Sequence, residues 1–581
     1  MKSSKKAIIA LVILCVIAVT VFAACKRGKV GDLGPIVVTD ANGVAYTDEN
    51  GDAITIMPEG EVVEVTNAKG EKVLDENGEV KTSIKYESQL VGVPVTDKDG
   101  NAYTDSNGNW ITTKIWVPAT TGNTSSTIIT MPLTDSQGVT VTDGNGGVVT
   151  YTALSTVPSA DPSPNSSDYN STFGGTGNDS FVDVVSTSDG GFLALMTSNS
   201  RDGSLNGINS KYAGQSSVIV KYDQGGKIEW KKFFGGNDGV SLMSLAVDSS
   251  GNIAAAGYSK STDLDVKNEG NYDAILYLLK PTGDVIWMQG IGGTQSEAFN
   301  GIAFAPDGTI VVTGFSYSHD GSAKKFGVPK KESSAVVAKY SADGKLVFAK
   351  SIGSTSDSLY GVQVDKSGNI YAVGTVSSNT SNSLFESFGQ ADGAIVKLDS
   401  SGKLLWKYHL GGSKIDRFTS LALSSEGGVI AVGRSESSDN AMKKLKNYGG
   451  YDAVIVKLSD SGSLVWEKSF KGSYNDSFND IVAANGGYYV VGSSNSYNRD
   501  FITIGNRGAL DGIVVKYSEA GEVQTVEGFG GSGDDDFTAV CVLDNGKVIA
   551  VGSTLSSDGD LVGNSAVPSG DKTVGMVAKF Q

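Results

Sequence analysis

The sequence predicts an all-β chain: a seven-bladed β-propeller preceded by a turn-rich β stalk and an N-terminal signal or anchor segment. Three observations lead there. A phrase of the form I-x-A-x-G-x-S returns with its glycine at Gly257, Gly314, Gly374, Gly433, Gly492 and Gly552, in steps of 57, 60, 59, 59 and 60 residues. Met196 fills the same slot 61 residues before Gly257. An aromatic residue or leucine advances in step, at Phe181, Leu242, Phe299, Tyr360, Phe418, Phe478 and Phe537. A third register runs through Trp230, Trp287, Phe348, Trp406 and Trp466. A fixed period of this length marks an array of supersecondary units.

Each copy reads as four strands. In the fifth, Phe418 to Leu423 is the first and Gly428 to Gly433 the second, after a Ser-Ser-Glu-Gly turn. Asp452 to Leu458 (D-A-V-I-V-K-L) is the third. Leu464 to Phe470 is the fourth, with Leu464, Trp466 and Lys468 on alternate positions. Four strands taken seven times are the parts of a propeller, whose radial sheets bury one face on the next. A β-helix repeats in far shorter units, and one such copy would be a marginal domain by itself. Glycine at 75 of 581 residues, about 13% against a usual share of about 7%, supplies the many tight turns.

The phrases G-G-x-x-x-D-x-F, G-x-I-x-A-V-G-x-S and D-A-x-I-V-K-x-D-x-x-G-x-x-x-W resemble the bacterial seven-bladed propeller repeat, a relative of the pyrroloquinoline-quinone-like propellers. The resemblance spans Phe173 to the C-terminus. Its D-x-x-G-x-x-x-W piece, Asp399, Gly402 and Trp406, is similar to a tryptophan-docking element, which implies that these Trp residues lock neighbouring blades and are structural. Quinone binding does not carry over, because no matching set of Arg, Asn and metal-ligating Glu is present.

The two ends predict how the ring closes. The seventh copy stops after a third strand, Val574 to Phe580. Trp406 lies five residues before Gly411, and counting five back from Gly174 gives Tyr169. Ser167 to Phe173 is therefore expected as the outer strand of the last blade, removing open sheet edges.

Ahead of the propeller, residues 1–25 carry Lys2, Lys5 and Lys6, then an apolar run from Ala7 to Ala24 that ends Val21-Phe22-Ala23-Ala24-Cys25. This is the layout of an export signal. A Cys after Ala-Ala resembles the bacterial lipobox, which implies cleavage before Cys25 and acylation of its thiol and new amine. Phe22 departs from the aliphatic residue usual there, and a run of this length also suits an uncleaved signal anchor. Either reading places the chain outside the cytoplasm, attached to a membrane at the bacterial cell surface. Residues 26–157 repeat a D-x-x-G or N-x-x-G phrase in doublets, such as Asp40 to Gly43 with Asp48 to Gly51, and Asp97 to Gly100 with Asp105 to Gly108. Each phrase fits a type I turn, with three or four residues between turns for short strands. Asp97-Lys98-Asp99-Gly100 has its glycine fourth, whereas an EF-type loop needs it sixth. Residues 158–166, with Pro158, Pro162 and Pro164, read as linker, and 167–581 as propeller.

A formal charge of −17 and a pI near 4.7 exclude a polyphosphate partner, which would need a basic stripe. The three cysteines, Cys15, Cys25 and Cys541, leave one thiol in the folded part and no Cys/His cluster for zinc. In each blade the B–C links are long and dissimilar: Ser200 to Gln215, Lys260 to Tyr272, Ser437 to Tyr451, Ser556 to Lys572. Rigid scaffolds carry recognition on such loops, so this face is the candidate surface. Tyr272, Tyr448, Tyr451 and Tyr497 offer aromatic contact area there. Two residues before the strand-A aromatic stands an acid in five copies: Asp179, Glu297, Asp416, Asp476 and Asp535, with Val240 and Ser358 in the other two. These could ring the channel mouth and hold calcium, although a carboxylate accepting the amides of its Gly-rich loop is the preferred reading; no other cofactor is expected. His319 and His409 stand in no catalytic motif, and neither G-x-S-x-G nor H-E-x-x-H occurs. The sequence therefore reads as a cell-surface binding or scaffold protein for a protein or glycan ligand, with a carbohydrate-active or other hydrolytic enzyme as the alternative. Cys25→Ser should abolish metabolic lipid labelling and leave the precursor unprocessed; labelling that persists unchanged would favour the signal anchor.

Overall fold

The computed structural model describes residues 171–581, short loop segments excepted (208–214, 267, 330–331, 354–356, 378–384, 386, 485, 503, 505, 565, 567, 569 and 581), together with the paired strands of four hairpins that precede them. The chain divides into two compact units, residues 1–164 and 165–581. The acylation candidate Cys25 lies outside the described residues, and among those described no helix is long and apolar enough to cross a membrane.

In the first unit the hairpins pair Ile36–Val37 with Thr55–Ile56, Glu61–Glu64 with Thr82–Lys85, Gln89–Pro94 with Thr112–Val117, and Thr124–Pro132 with Thr150–Pro158. Each hairpin encloses one doublet of the D-x-x-G phrase. The paired strands thus lie outside the turn doublets and reach nine residues, where the spacing suggested strands of three or four between the turns.

The second unit is seven four-stranded antiparallel sheets. Six are continuous in sequence: 179–234, 240–291, 297–352, 358–410, 416–470 and 476–529. The seventh combines Asp535–Val542, Val548–Thr554 and Val574–Phe580 with Ser171–Phe173 from the other end of the unit. We letter the strands of each blade A to D from the channel outward; in blade five these are Asp416–Leu423, Val429–Ser435, Asp452–Leu458 and Leu464–Phe470. The closing strand pairs Phe173 with Gly575 and Ser171 with Val577. Residues 167–170 of the expected strand lie outside the described residues.

Two of the repeat registers turn out to be one contact. The glycine of strand B stands opposite the aromatic of strand A: Gly433 pairs with Phe418, Gly314 with Phe299, Gly552 with Phe537. A β-bulge follows each aromatic and brings strand A so near that a Cβ on Gly433 would lie 2.0 Å from the Arg417 carbonyl oxygen. In blade four the register differs from the sequence reading: Leu359, not Tyr360, faces Gly374 and fills the core slot. The loop before it is one residue shorter, Gly353 to Asp357 against Gly411 to Asp416, so counting at fixed spacing slipped by one.

Packing is between blades. Seven apolar clusters of the described residues each straddle two neighbours, and the one joining blades seven and one holds Phe173, Phe181, Cys541 and Val577. Strands B and C are buried on both faces, which explains their continuous apolar runs. Strand D is an outer edge, and Leu464 and Val465 are both exposed there, so the alternation read from Leu464 does not describe a buried face. The tryptophans do lock blades: Trp406 donates Nε1–H to the Asp460 carbonyl of the next blade at 2.9 Å. Its ring lies against Gly462, where φ is +82° and a Cβ would sit 2.7 Å from the indole. Beside it the buried Lys397 bonds Asp460 at 2.6 Å.

Removing residues 167–173 strips the last blade of its outer strand and exposes the core around Phe173. Burial of one Phe and the lost ladder bonds together amount to about 3–5 kcal/mol. Thermal unfolding should show a large fall in melting temperature for that deletion and almost none for a chain cut near Thr124; equal shifts would refute the closure.

Candidate functional site

The B–C loops and the D–A loops meet on one face of the disc, and the strand-A acids are the hubs that join them. Asp416 accepts the Gly412 amide at 2.7 Å and the Ser437 hydroxyl at 2.8 Å on Oδ2, while the Ser435 hydroxyl donates to Oδ1. Asp179 accepts Gly175 N–H at 2.7 Å with Ser198 and Ser200. Asp476 takes Gly472 with Ser494 and Ser496, and Asp535 takes Gly531 with Thr554 and Ser556. Glu297 receives the Gly293 amide at 2.8 Å, the Ser316 hydroxyl and the Ser318 amide. All five are buried. Their lone pairs are met by N–H and O–H donors, which present hydrogen where a cation would need an electron pair. Among the described residues no group of three or more His, Cys, Asp or Glu side chains gathers closely enough to hold a metal. Blade four has its own hub in the buried Asp357, which accepts Ser377 N–H at 2.9 Å; Ser358 stands one place further along.

The partners of these acids had a sequence signal, S-x-S-x-D/N at the end of strand B, which clamps both loops. Its last residue caps the D–A loop: Asp202 accepts Thr176 N–H at 2.8 Å, and Asp439 and Asp558 do the same for Ser413 and Ser532. In five blades a 3-10 turn follows and buries an apolar side chain: Leu205, Phe326, Met442, Phe501 and Leu561. In these five blades the first half of the B–C loop is therefore structural.

Just inside these loops runs a ring of seven cross-strand pairs, the residue before the core residue of strand A facing its partner in strand B. They are Ser180/Thr197, Ser241/Tyr258, Ala298/Phe315, Ser358/Thr375, Arg417/Arg434, Ser477/Ser493 and Asp536/Ser553. Strand A is innermost, so the ring frames the channel mouth. Blades two and three make its aromatic sector. Tyr272, half-buried, lies 4.8 Å from Tyr258 and 6.5 Å edge-on to Phe315, which lies 5.4 Å from the exposed Tyr317. The other tyrosines singled out from sequence have different partners. Tyr451, in the place equivalent to Tyr272, is covered by the Arg434 guanidinium at 4.2 Å. Tyr448 lies under Arg499 at 3.8 Å, and Tyr497 shares a hydroxyl contact of 3.2 Å with Tyr474. Sequence reading missed Tyr258, Phe315 and the arginines, because strand position alone did not show which residues the register would bring to the mouth.

A second set of acids went unread because the D of D-A-x-I-V-K looked like part of a strand. Asp273, Asp392, Asp452 and Asp511 open strand C and are buried. Each accepts one amide four residues back, from Glu269, Phe388, Tyr448 and Arg507. The other oxygen, Oδ1, has no hydrogen-bond partner in any of the four. Each also faces the strand-A acid of the next blade: Glu297, Asp416, Asp476 and Asp535. Burial, with that neighbouring charge adding to it, pushes Asp452 up to about 8 and Asp273, Asp392 and Asp511 to about 6. His409 packs between Phe385 and Phe388, at 5.7 and 5.0 Å. Cys541 is buried and its thiol is held well above the usual range by burial.

No family model matches the chain. The regulatory protein FlaEY of Caulobacter vibrioides is 27% identical over 223 residues, which cover 36% of this chain, and the chain spans 23% of that protein's length. Among solved structures, a protein of unknown function from Dyadobacter fermentans is 13% identical, covering 58% of this chain and 94% of its own at a TM-score of 0.32. A gluconolactonase of Xanthomonas campestris is 10% identical, covering 63% and 90% at a TM-score of 0.30. Likeness at this level brings no activity to the present chain.

The acid couples set a sign for the pH dependence of stability. A carboxyl whose folded value is raised favours the folded state below its unfolded value, near 4, and loses that contribution as pH rises through the folded value. The propeller's melting temperature should therefore fall between pH 5 and pH 8. Asp452, which faces Asp476, Asp500 and Lys471, should dominate the upper part of that window. Asp452→Asn should flatten the profile and raise the melting temperature at pH 8; an unchanged slope would show that Asp452 is ionised without penalty.

Proposed function

We propose that this chain is an extracytoplasmic, membrane-tethered binding protein that presents the channel mouth of its propeller to a glycan. The observation that carries the reading is the ring of cross-strand pairs. Its aromatic sector has the exposed Tyr317 and the half-buried Tyr258, Tyr272 and Phe315, each at contact distance from the next ring. Hydroxyls of the half-buried Ser180, Thr197 and Ser358 occupy two other blades of the ring. Aromatic faces that take the apolar side of a sugar, with hydroxyls around them for its polar edge, are what a carbohydrate requires. The tether rests on the Ala23-Ala24-Cys25 junction.

Opposite, the C–D turns are short and self-satisfied. In one, Asp399 accepts the amides of Ser401 and Lys403 at 2.9 Å each. They leave little to recognise a partner. A glycan array probed with the detergent-solubilised chain tests the reading directly. Tyr272→Ala with Tyr317→Ala should weaken the bound glycan by more than about 1 kcal/mol without lowering the melting temperature. Ser400→Ala with Ser401→Ala should leave binding unchanged. Loss of binding from the turn variants alone would put recognition on the other face, and turnover of the bound sugar would make the chain an enzyme.

A further inference from the structure

Blade five differs from the other six at the channel mouth. Where they place small, hydroxyl, aromatic or single acidic residues, it sets two guanidinium groups directly opposite each other, Arg417 on strand A and Arg434 on strand B. Like charges on facing positions of a ladder repel, and this pair is partly buried, which deepens the cost. Burial, followed by the charge of Arg417, lowers the proton affinity of Arg434. The ion pairs among the described residues include neither arginine. Arg417 Nε is buried and has no acceptor. The guanidinium carbon of Arg434 stands over Tyr451, 4.2 Å from the ring centroid, a contact that leaves its N–H donors without a carboxylate. The charged groups that reach Arg434 electrostatically, besides Arg417, are Tyr451, Glu436 and Asp536 of blade seven.

We infer that Arg417 and Arg434 form a receptor for the carboxylate of an acidic sugar, seated at the channel mouth against blade five. An arginine has five donors and no acceptor, and a fork held edge-on matches the two oxygens of a planar carboxylate. A sugar acid bound there would bring the anion that the couple lacks, and its ring would extend toward the hydroxyl and aromatic sectors. The inference deepens the proposed glycan function and rests on it, since it names the charge class of the ligand at that same mouth.

Two measurements test it. First, in the absence of ligand, Arg417→Gln should raise the melting temperature, because it removes the repulsion and keeps a polar side chain of moderate length; a fall would mean that the couple stabilises the blade and is structural. Second, tetragalacturonate, its tetramethyl ester and inorganic phosphate are titrated calorimetrically into the full-length chain in detergent. The acid should bind, weakening at least tenfold in Arg434→Gln and again as salt is raised, while the ester binds at least tenfold more weakly than the acid. Binding of acid and ester alike, binding undiminished in Arg434→Gln, or no binding of the acid overturns the inference. Displacement by phosphate at equal concentration would make the site a phosphate receptor and also overturn it. If the array finds neutral glycans that depend on Tyr272 and Tyr317 but not on the arginines, the binding function stands and only the charge class is wrong.

Discussion

No blade of this propeller can stand alone, and the rest of the structure follows from that. Strands B and C are buried on both faces, so each sheet needs a neighbour on either side, and each of the apolar clusters is shared by two blades. Such an array must close, or its first and last blades would each expose a core face. Closure is made by three residues, Ser171–Phe173, laid against Val574–Phe580. The same pairing brings Phe173 into the cluster with Phe181 and Val577, so one short strand joins the ladder and the core.

The two faces of the disc solve the remaining polar problem in different ways. On the C–D side, an indole rests on a turn glycine of the next blade, and a buried lysine reaches an acid of that turn, as Lys397 reaches Asp460 and Lys457 reaches Glu519. Five of these turns, at Gly283, Gly344, Gly402, Gly462 and Gly521, are thereby braced by an aromatic ring of the neighbouring blade. On the B–C side, the buried carboxylate at the start of strand A gathers hydroxyls and a loop amide. It holds the roots of two loops, while the strand-C acid holds the far end of the B–C loop by one amide. Recognition can evolve on the second face without disturbing the core, because the variable segment lies between these two holds.

Two electrostatic tensions lie near that face, and their distribution separates them. Acid facing acid between strand C and the next strand A occurs at four blade junctions, so it belongs to the scaffold and is relieved by a proton. Arginine facing arginine occurs once, at the mouth of blade five. A proton cannot relieve it, since guanidinium stays charged, and this singular cost is what distinguishes a site from a repeat feature.

Much of the architecture was legible in the sequence because propeller repeats impose themselves on spacing. The number of blades, the strands of blade five to within two residues, the docking tryptophans and the closing strand could all be read from three registers. The strand-A acids were visible for the same reason. Reading failed where one residue was gained or lost: the shorter loop of blade four moved Leu359 and Asp357 out of count, and no spacing argument can see a deletion until the ladder fixes the partner. The aromatic and arginine sectors were invisible for a deeper reason. Tyr258 and Tyr272, or Arg417 and Arg434, are far apart in the chain, and only the pairing of strand A with strand B and the return of the B–C loop bring them together. Local sequence determined which strands and turns form, because those depend on residues a few positions apart; the tertiary ring decided which side chains share the channel mouth, because that depends on register and closure.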